Sequence, residues 1–403
     1  MFDTFSRVCD SLLQCGFSIS QYSFAPCSIQ MRYFPLNFYP VASLIGTNTF
    51  TMDVTGTVHT TKLLRCLYWV SGINNSIDEI KFVTNVPISP FLTFFGLIGN
   101  TLAFIVLGRE KPFISTAVLL RALALADSVV VLEKFWESLR FGFNQYLGLF
   151  DWLMDTYQAA YPTAWTIFWT SKTISQYITL CIAAERYIAV CRPLRAASVC
   201  TINNARIAVG SIVTFSILVR IPVYFETRIF YVYDPCTGRR RPWWDYTALH
   251  INQFYSIIYI IIVNVVFQAI LPIAALIFFT YKLIFSLRKS SSENLSKSTS
   301  KQSDNLRAVT IRVVAVVVIF IILETPICLY YFLYVFSDRD FGFAILDFQI
   351  FQSINYNLLW LSFTFETLNS CVNFYVYCLI GSRFRKTFVK LISCYKCKPS
   401  SSQ

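Results

Sequence analysis

Residues 254–283 read FYSIIYIIIVNVVFQAILPIAALIFFTYKL, and Lys282 is the only formally charged side chain in this stretch. A helix needs about 20 mostly apolar residues to cross a bilayer core about 30 Å thick. The stretch therefore predicts a membrane-spanning helix. Six other stretches are also long and apolar enough to cross a bilayer, and we call all seven of them windows. The seven windows are Phe82–Leu107, Ile114–Leu139, Pro162–Val190, Ala205–Phe225, Phe254–Leu283, Val309–Phe336 and Phe351–Leu379.

The composition of the whole chain agrees with several spans. Of the 403 residues, 55% are hydrophobic and only 14% are charged, whereas a soluble domain has about 25% charged residues. This apolar excess argues against a nucleic-acid-binding protein, although the net charge is +12. The 38 Phe and 23 Tyr exclude a disordered or collagen-like chain. With only His59 and His250 as histidines, the chain lacks the ligand cluster of a seven-helix zinc hydrolase. We expect an all-α fold, a bundle of seven transmembrane helices.

The distribution of Lys and Arg predicts how the chain is oriented. Short loops on one side are richer in these residues, and that side is expected to be cytoplasmic. The opposite side is poorer, apart from the run Arg239–Arg241. The predicted organisation is an extracellular tail (1–81) without a cleaved signal peptide, a seven-helix domain (82–380) and a cytoplasmic segment (381–403) at the plasma membrane. Asn74, in Asn74-Asn75-Ser76, is a candidate glycosylation site on the outside.

The segment after the seventh window predicts a short amphipathic eighth helix. Phe384, Phe388, Leu391 and Ile392 recur at helical spacing with basic residues between them. Such a helix is typical of a surface that contacts anionic membrane lipids. Cys394 and Cys397 follow and are candidates for palmitoylation, and the alternative is an ordinary basic flank with unmodified thiols. The region Ser286–Asn305, rich in Ser and Lys, is expected to be a flexible cytoplasmic connector.

The cysteines divide between the two sides of the membrane. Five fall on the predicted outside, where disulfides form, so at least one of them must stay free or pair between chains. The partner of Cys236 is left open. The five are Cys9, Cys15, Cys27, Cys66 and Cys236.

Polar side chains inside the windows need an explanation, because a charge at bilayer depth costs about 2.5–3.5 kcal/mol on insertion scales. They can form a small hydrated cavity that holds a monovalent cation, or they can make independent helix-packing hydrogen bonds. The set is Asn100, Asp127, Ser175, Asn369 and Asn373.

The cytoplasmic end of the third window reads Glu185-Arg186-Tyr187. Adjacent Glu and Arg can pair there, and Arg186 can swing toward a partner protein once the pair opens. Proline removes a backbone hydrogen bond from a helix and creates a hinge. Pro222, Pro272 and Pro326 fall inside the fourth, fifth and sixth windows.

These motifs occur in the order and helices of rhodopsin-like (class A) G-protein-coupled receptors, which the chain resembles from Phe82 to about Ile392. They are Gly99-Asn100, Leu123–Asp127, Glu185-Arg186-Tyr187, Pro272, Pro326 and Asn373-Phe374-x-x-Tyr377. Within that class the chain looks like the invertebrate FMRFamide-type neuropeptide receptors, through residues 179–191, 193–196 and 369–374.

The resemblance implies roles for particular residues. It implies a sodium site at Asp127, Ser175, Asn369 and Asn373, with Asn100 in the same polar core. It implies a G-protein switch that contains Glu185, Arg186, Tyr187, Asn373 and Tyr377. It further implies a peptide ligand and a heterotrimeric G protein as partners, with arrestin as another.

Five features of the sequence depart from the class pattern. Tyr161 stands where a disulfide cysteine is usual, and Glu324 stands where an aromatic toggle is usual. The fourth window has no tryptophan, and Thr280 occupies the place of a switch tyrosine, one residue before Tyr281. Phe374 replaces a common proline, which the FMRFamide-type subfamily tolerates.

Three rival functions are weighed against a neuropeptide receptor. An opsin is excluded because residues 351–379 contain no lysine for a Schiff base. A transporter should show repeated halves, and none is found. A chemosensory receptor for small molecules remains the alternative, and charges at the outer mouth favour a peptide over it. The charges are Glu133, Glu137, Arg220, Glu226, Arg228 and Arg239–Arg241. Nothing in the sequence suggests a catalytic site.

Three further charges lie inside the windows. Lys172 precedes Arg186 by 14 residues, nearly four helical turns, so the two share a face of the third helix. A Lys172–Glu324 or Lys172–Glu366 pair would offset much of the cost of burying these charges. The alternative is that each charge separately faces water or is neutralised. Our hypothesis is that the pair replaces the missing aromatic toggle and opens when a cationic group of a peptide competes with Lys172. The predicted ligand pocket therefore contains Glu133, Glu137, Lys172, Glu324 and Glu366.

Overall fold

The structure is a computed structural model, and it describes residues 79–110, 114–140, 151–233, 238–293, 301–336 and 348–396. The chain divides into two compact units. The larger, residues 77–233 and 240–403, contains every element described below. The predictions for the tail before residue 79, for Asn74, for the five outer cysteines and for Cys397 lie outside the described residues.

Seven long helices account for most of the described residues. Helix α1 begins as Glu79–Val83, continues through a π-helical turn, Thr84–Ile88, and extends as Ser89–Arg109. Helix α5 is likewise composite: Gln253–Ile258, a π-helical segment Tyr259–Ile270, and Leu271–Glu293. The other long helices are α2 (Ser115–Ser138), α3 (Asp151–Cys191), α4 (Ile202–Phe225), α6 (Lys301–Phe336) and α7 (Phe348–Ile380). Helix α8 (Ser382–Lys396) follows α7, and two short helices are Pro193–Val199 and Ala248–Ile251.

The helices confirm the predicted all-α bundle, with two corrections to their bounds. Helix α3 begins at Asp151 and contains Pro162 in its interior, whereas the apolar window predicts a start at Pro162. Helix α5 reaches Glu293 and α6 starts at Lys301, so most of the expected connector Ser286–Asn305 is helical. Adding a residue to an existing helix costs far less than starting a new one, so a helix extends through polar residues with adequate helix propensity.

An antiparallel hairpin was not predicted. Strand β1 (Thr227–Tyr233) pairs with β2 (Arg240–Tyr246), with Thr227 opposite Tyr246 and Tyr233 opposite Arg240. Its TRIFYVY and RRPWWDY sequences are rich in aromatic and β-branched residues, which favour strands. The hairpin packs against α3. We call this end of the bundle the hairpin end, and the opposite end, where α8 lies, the α8 end.

The surface of the bundle is apolar. In the described part of the chain, five helices are long and apolar enough to cross a membrane: α1, α2, α4, α5 and α6. Helices α3 and α7 are also long enough, and they carry many of the buried polar side chains. Large apolar side chains such as Leu125, Leu218 and Phe225 face outward. A soluble protein rarely exposes so much contiguous apolar surface, and the chain is a multi-pass membrane protein.

Helix α8 is the predicted amphipathic helix, and it packs against α1 and α7 where these two helices reach its end of the bundle. Phe384 is fully buried, with its ring centroid 5.8 Å from that of Phe374 and 5.7 Å from that of Tyr377. Phe374, which replaces the usual proline, leaves α7 unbroken to Ile380 and also packs against Phe388. Helix α8 includes position 394, but the side chain of Cys394 lies outside the described set.

Candidate functional site

The centre of the bundle contains a buried carboxylate that bridges three helices. Ser175 Oγ of α3 donates a hydrogen bond to Asp127 Oδ1 of α2 at 2.6 Å. Asn373 Nδ2 of α7 donates to Asp127 Oδ2 at 2.8 Å. All three side chains are buried, so these bonds are made away from competing water and each oxygen of the carboxylate has a donor.

The other two members of the predicted polar core have different partners. Asn100 Nδ2 of α1 donates to the backbone oxygen of Ser370 at 3.0 Å, which ties α1 to α7. Asn369 Nδ2 donates to Glu324 Oε1 at 3.5 Å rather than to Asp127. The structure thus joins Asp127, Ser175 and Asn373 directly and places Asn369 in a neighbouring network.

The chemistry of this core suits a small hard cation. Carboxylate, hydroxyl and amide oxygens are the ligands such ions prefer. Asn100 Oδ1 is buried and has no hydrogen-bond partner among the residues that the structure describes. In those same ranges no cluster of three or more His, Cys, Asp or Glu side chains is suited to a metal ion.

An ionic cluster, composed of Lys172, Glu324 and Glu366, lies one helical turn toward the hairpin end. Lys172 Nζ of α3 is 2.5 Å from Glu324 Oε1 of α6 and 3.0 Å from Glu366 Oε1 of α7. The exposed fractions of the three residues are 3%, 1% and 1%. The sequence left two pairs as alternatives, and the structure contains both.

Aromatic rings lie one helical turn from the ionic cluster, toward the hairpin end. Trp169 precedes Lys172 by one turn in α3, and Phe363 precedes Glu366 by one turn in α7; their ring centroids are 6.5 Å apart. Phe168 lies 6.0 Å from Phe363 in an edge-on arrangement. Lys134 of α2 contacts this aromatic layer, since its ammonium lies 3.5 Å from the Phe363 centroid and 4.5 Å from the Phe168 centroid.

The acidic residues predicted on α2 are not part of the ionic cluster. Glu137 Oε2 pairs with Lys134 Nζ at 2.5 Å, and Glu133 lies half-buried on the same helix. The described contacts include none that joins Glu133 or Glu137 to Lys172. The sequence analysis does not single out Lys134, although its position between Glu133 and Glu137 on α2 favours an ion pair with one of them.

Arg220 was predicted at the charged mouth and is instead deeply buried, with 2% of its surface exposed. Its Nε donates to Thr173 Oγ1 at 3.0 Å and its Nη1 donates to Asn264 Oδ1 at 2.8 Å. The guanidinium also lies 5.3 Å from the Trp169 ring centroid. Arg220 therefore joins α3, α4 and α5 inside the bundle, because neutral acceptors on neighbouring helices satisfy its donors.

At the α8 end, Arg186 is held inside the bundle by α2 and by its own neighbour. Arg186 Nη2 lies 3.2 Å from Glu185 Oε2 and donates to Thr116 Oγ1. Thr116 Oγ1 in turn donates to Glu185 Oε2 at 2.7 Å, and Ser115 Oγ donates to Glu185 Oε1. The arginine is 6% exposed. Ser115 and Thr116 were not singled out from the sequence.

Two other predicted switch residues, Tyr187 and Tyr377, pack near the same end. Tyr187 packs against Phe279, with ring centroids 5.4 Å apart. Tyr377 is buried beside Phe384 of α8. Thr280, at the place of the switch tyrosine, is buried, whereas Tyr281 faces outward with 63% of its surface exposed. Tyr281 therefore does not point into the bundle and does not take the place of the switch tyrosine.

Comparison with known proteins gives a consistent set of matches. A sequence profile of the family described as serpentine type 7TM GPCR chemoreceptor Srw matches residues 87–395. The FMRFamide receptor of Drosophila melanogaster is 26% identical over 335 residues, which cover 81% of this chain and 54% of that receptor. The sex peptide receptor of Drosophila melanogaster is 24% identical over 324 residues, 75% of this chain and 71% of the relative. Sex peptide receptor-related protein 2 of Caenorhabditis elegans is 26% identical over 363 residues, which cover 81% of this chain and 74% of that protein. This chain thus spans about half the length of the first relative and nearly three quarters of the other two.

Proposed function

Because the chain belongs to the Srw family of serpentine seven-transmembrane G-protein-coupled receptors, we propose that it is a neuropeptide receptor whose ligand is an amidated peptide of FMRFamide type. The observation that carries the ligand class is that the similar proteins named above are receptors named for peptides, and that they align with at least 75% of this chain. The family is one of receptors, and the proposal gives the chain no catalytic role.

The proposed orientation has the N-terminus outside the cell and the α8 end in the cytoplasm, at the plasma membrane. Basic residues concentrated near the α8 end support this orientation, since cytoplasmic loops carry an excess of Lys and Arg. The residues are Arg109, Arg192, Arg195, Arg288, Arg385, Lys386 and Lys390. The basic face of α8 would lie on anionic lipids of the inner leaflet.

The ligand would enter at the hairpin end and reach the aromatic layer above the ionic cluster. Binding there would favour a conformation in which the α8 end opens, because a ligand shifts an equilibrium toward the state that it binds more tightly. The opened end would accept a heterotrimeric G protein, and arrestin would use the same opening. Arg186 is the proposed contact, and its bonds to Glu185 and Thr116 hold it in the closed state.

A sodium ion at Asp127 is part of the proposal. Asp127, Ser175 and Asn373 would hold the ion, with Asn369 and Asn100 near them, and the ion would add positive charge beside a buried carboxylate. Its effect would be to stabilise the closed conformation.

A receptor for small molecules is the second candidate, because the family description speaks of chemoreceptors. Such a ligand would need a closed apolar pocket. The buried charges of Lys172, Glu324 and Glu366 at the floor of this bundle favour a ligand with charged groups instead.

The deciding experiment is a panel of amidated neuropeptides applied to cells that express the full-length receptor with calcium and cAMP reporters. At least one peptide should produce a response that cells expressing Arg186→Ala do not show, although that variant binds the same peptide. If a panel of small volatile or metabolic compounds activates the receptor and no peptide does, the peptide assignment is wrong.

A further inference from the structure

The ionic cluster carries more negative than positive charge. One ammonium, that of Lys172, faces two carboxylates, those of Glu324 and Glu366, and within the described ranges no second cation lies within 4 Å of either carboxylate. All three groups are buried. A buried charge without a matching partner is costly, so the cluster is suited to accept another cationic group.

One carboxylate of the cluster is available for such a group. Glu366 Oε1 lies 3.0 Å from Lys172 Nζ, but both oxygens of Glu366 are buried and neither has a hydrogen-bond partner in the described part of the structure. Glu324, in contrast, receives both Lys172 and Asn369 on Oε1. Glu366 is therefore the carboxylate with unused acceptor capacity.

The surroundings of Glu366 favour a planar cation over a compact one. Phe363 and Trp169 lie one turn closer to the hairpin end, with centroids 6.5 Å apart. Guanidinium groups stack on aromatic faces and bind carboxylates with two parallel hydrogen bonds, which an ammonium cannot do. Phe363 already contacts one cation, since Lys134 Nζ lies 3.5 Å from its centroid.

The cluster also joins the helices that have to separate. Lys172 belongs to α3, Glu366 to α7, and Glu324 to α6, two residues before Pro326. The Lys172–Glu324 contact thus holds the hinge region of α6 against α3. A cation that occupies the carboxylates weakens the hold of Lys172 on α6.

We propose that Glu366, with Glu324 and the rings of Phe363 and Trp169, is the binding site for an arginine side chain of the ligand, and that this guanidinium competes with Lys172 for the two carboxylates. The proposal rests on a peptide being the ligand. Lys172 is then a tethered occupant of the site that keeps the receptor quiet until the peptide arrives.

The test compares a peptide that contains arginine with the same peptide that contains citrulline, which has nearly the same shape but no charge. The first probe is Phe-Met-Arg-Phe-amide with its citrulline counterpart, applied to cells expressing the full-length wild-type receptor, Glu366→Gln or the control Glu110→Gln. Glu110 is a suitable control because it is a glutamate at the C-terminal end of α1, at the α8 end and away from the proposed ligand entry.

In the wild type, the citrulline peptide should be at least about tenfold less potent, because the loss of one member of a buried charge pair commonly costs more than a factor of ten. In Glu366→Gln most of this ratio should disappear, because the arginine peptide loses potency and the citrulline peptide does not. Glu110→Gln should keep the wild-type ratio. A role of Glu366 in folding alone would lower the response to both peptides and leave their ratio unchanged.

The potency ratio separates the failure of this proposal from that of the proposed function. If the receptor responds to peptides and the ratio is near one, or equal in Glu366→Gln and wild type, the arginine site is wrong and the peptide receptor stands. If no amidated peptide activates the receptor, the proposed function is wrong and the arginine site falls with it. Should Glu366→Gln not reach the membrane, Glu366→Asp keeps the charge, shortens the side chain by one methylene, and should reduce the ratio by a smaller factor.

The role of Lys172 is tested without a ligand. Glu324→Gln should raise basal signalling, and exchanging the two charges through Lys172→Glu with Glu324→Lys should return it toward the wild-type value. Unchanged basal activity in a well-expressed Glu324→Gln receptor would show that Lys172 does not restrain α6 through this contact.

Discussion

The phenol ring of Tyr161 lies flat against the indole of Trp244, with ring centroids 4.0 Å apart and planes 6° from parallel. Tyr161 belongs to α3 and Trp244 to β2, and the class that the sequence resembles usually has a disulfide cysteine at the position of Tyr161. Near this stack, Arg241 Nε of β2 lies 3.9 Å from Asp155 Oδ1 of α3. The hairpin is thus attached to α3 by an aromatic contact and a nearby ion pair.

Replacing Tyr161 with alanine should loosen the hairpin without unfolding the bundle. A stacked aromatic pair contributes about 0.5–1.5 kcal/mol beyond the area it buries. We expect faster amide hydrogen exchange in residues 227–246 of the purified receptor, with exchange in α2 unchanged. Tyr231→Ala is the matched control, because Tyr231 is an exposed tyrosine of the same hairpin; equal effects of the two substitutions would contradict a special role for the stack.

Replacing Thr116 with valine should raise basal G-protein activation. The hydroxyl of Thr116 accepts from Arg186 and donates to Glu185, and a hydrogen bond to a charged group is worth about 1.5–3 kcal/mol. Its loss should shift the equilibrium by a factor of about ten or more toward the open state, measured as ligand-free nucleotide exchange on a G protein. Thr156→Val, at an exposed threonine whose hydroxyl donates to the backbone oxygen of Trp152 in its own helix, should leave the basal rate unchanged. A quiet Thr116→Val receptor would argue against the proposed role of Thr116 in the closed state.

Replacing Asp127 with asparagine should abolish an effect of sodium on agonist binding. The proposed ion binds the closed state more tightly than the open state, so sodium should lower agonist affinity in the native receptor. An ion that bound both states equally would not change agonist affinity in this way. The measurement is agonist competition in sodium chloride against an equal concentration of N-methylglucamine chloride. Agonist affinity that is indifferent to sodium in the native protein would exclude the site.

Replacing Gly96 with alanine should destabilise the contact between α1 and α7. An added Cβ would lie 2.5 Å from Cys371 Sγ, closer than atoms can approach, and 3.4 Å from Cys371 Cβ. Overpacking of this kind costs about 1–3 kcal/mol, more than alanine gains in helix propensity. The thermal midpoint of the purified receptor should fall, and Cys371→Ala added to Gly96→Ala should recover part of the loss by removing the sulfur.

Gly210→Ala provides the control for that experiment. Apart from its chain neighbours and the adjacent backbone of α4, no atom of the described residues lies within 4 Å of the Cβ that this substitution would add on the exposed face of α4. The gain in helix propensity should therefore raise stability by about 0.5–1 kcal/mol. A lower midpoint in both glycine variants would indicate that the effect at Gly96 is not due to its contact with Cys371.

The sequence alone determined the seven helices, the amphipathic α8 and the helix on which each polar residue lies. These follow from local properties: hydropathy over a window as long as the bilayer is thick, and the periodicity of side chains around a helix. The neighbourhood of Asp127, Ser175 and Asn373 could also be expected, because the resemblance places them at matching depths in α2, α3 and α7.

Only the tertiary structure decided which groups meet. It paired Lys172 with both Glu324 and Glu366, turned Asn369 to Glu324, placed Arg220 inside the bundle and stacked Tyr161 on Trp244. Each of these facts depends on the distance between two helices or strands and on how they are rotated about their own axes, to within a few ångströms. Hydropathy and spacing along one chain segment do not contain that information, because a buried charge can be satisfied by any neighbour that packing brings within reach.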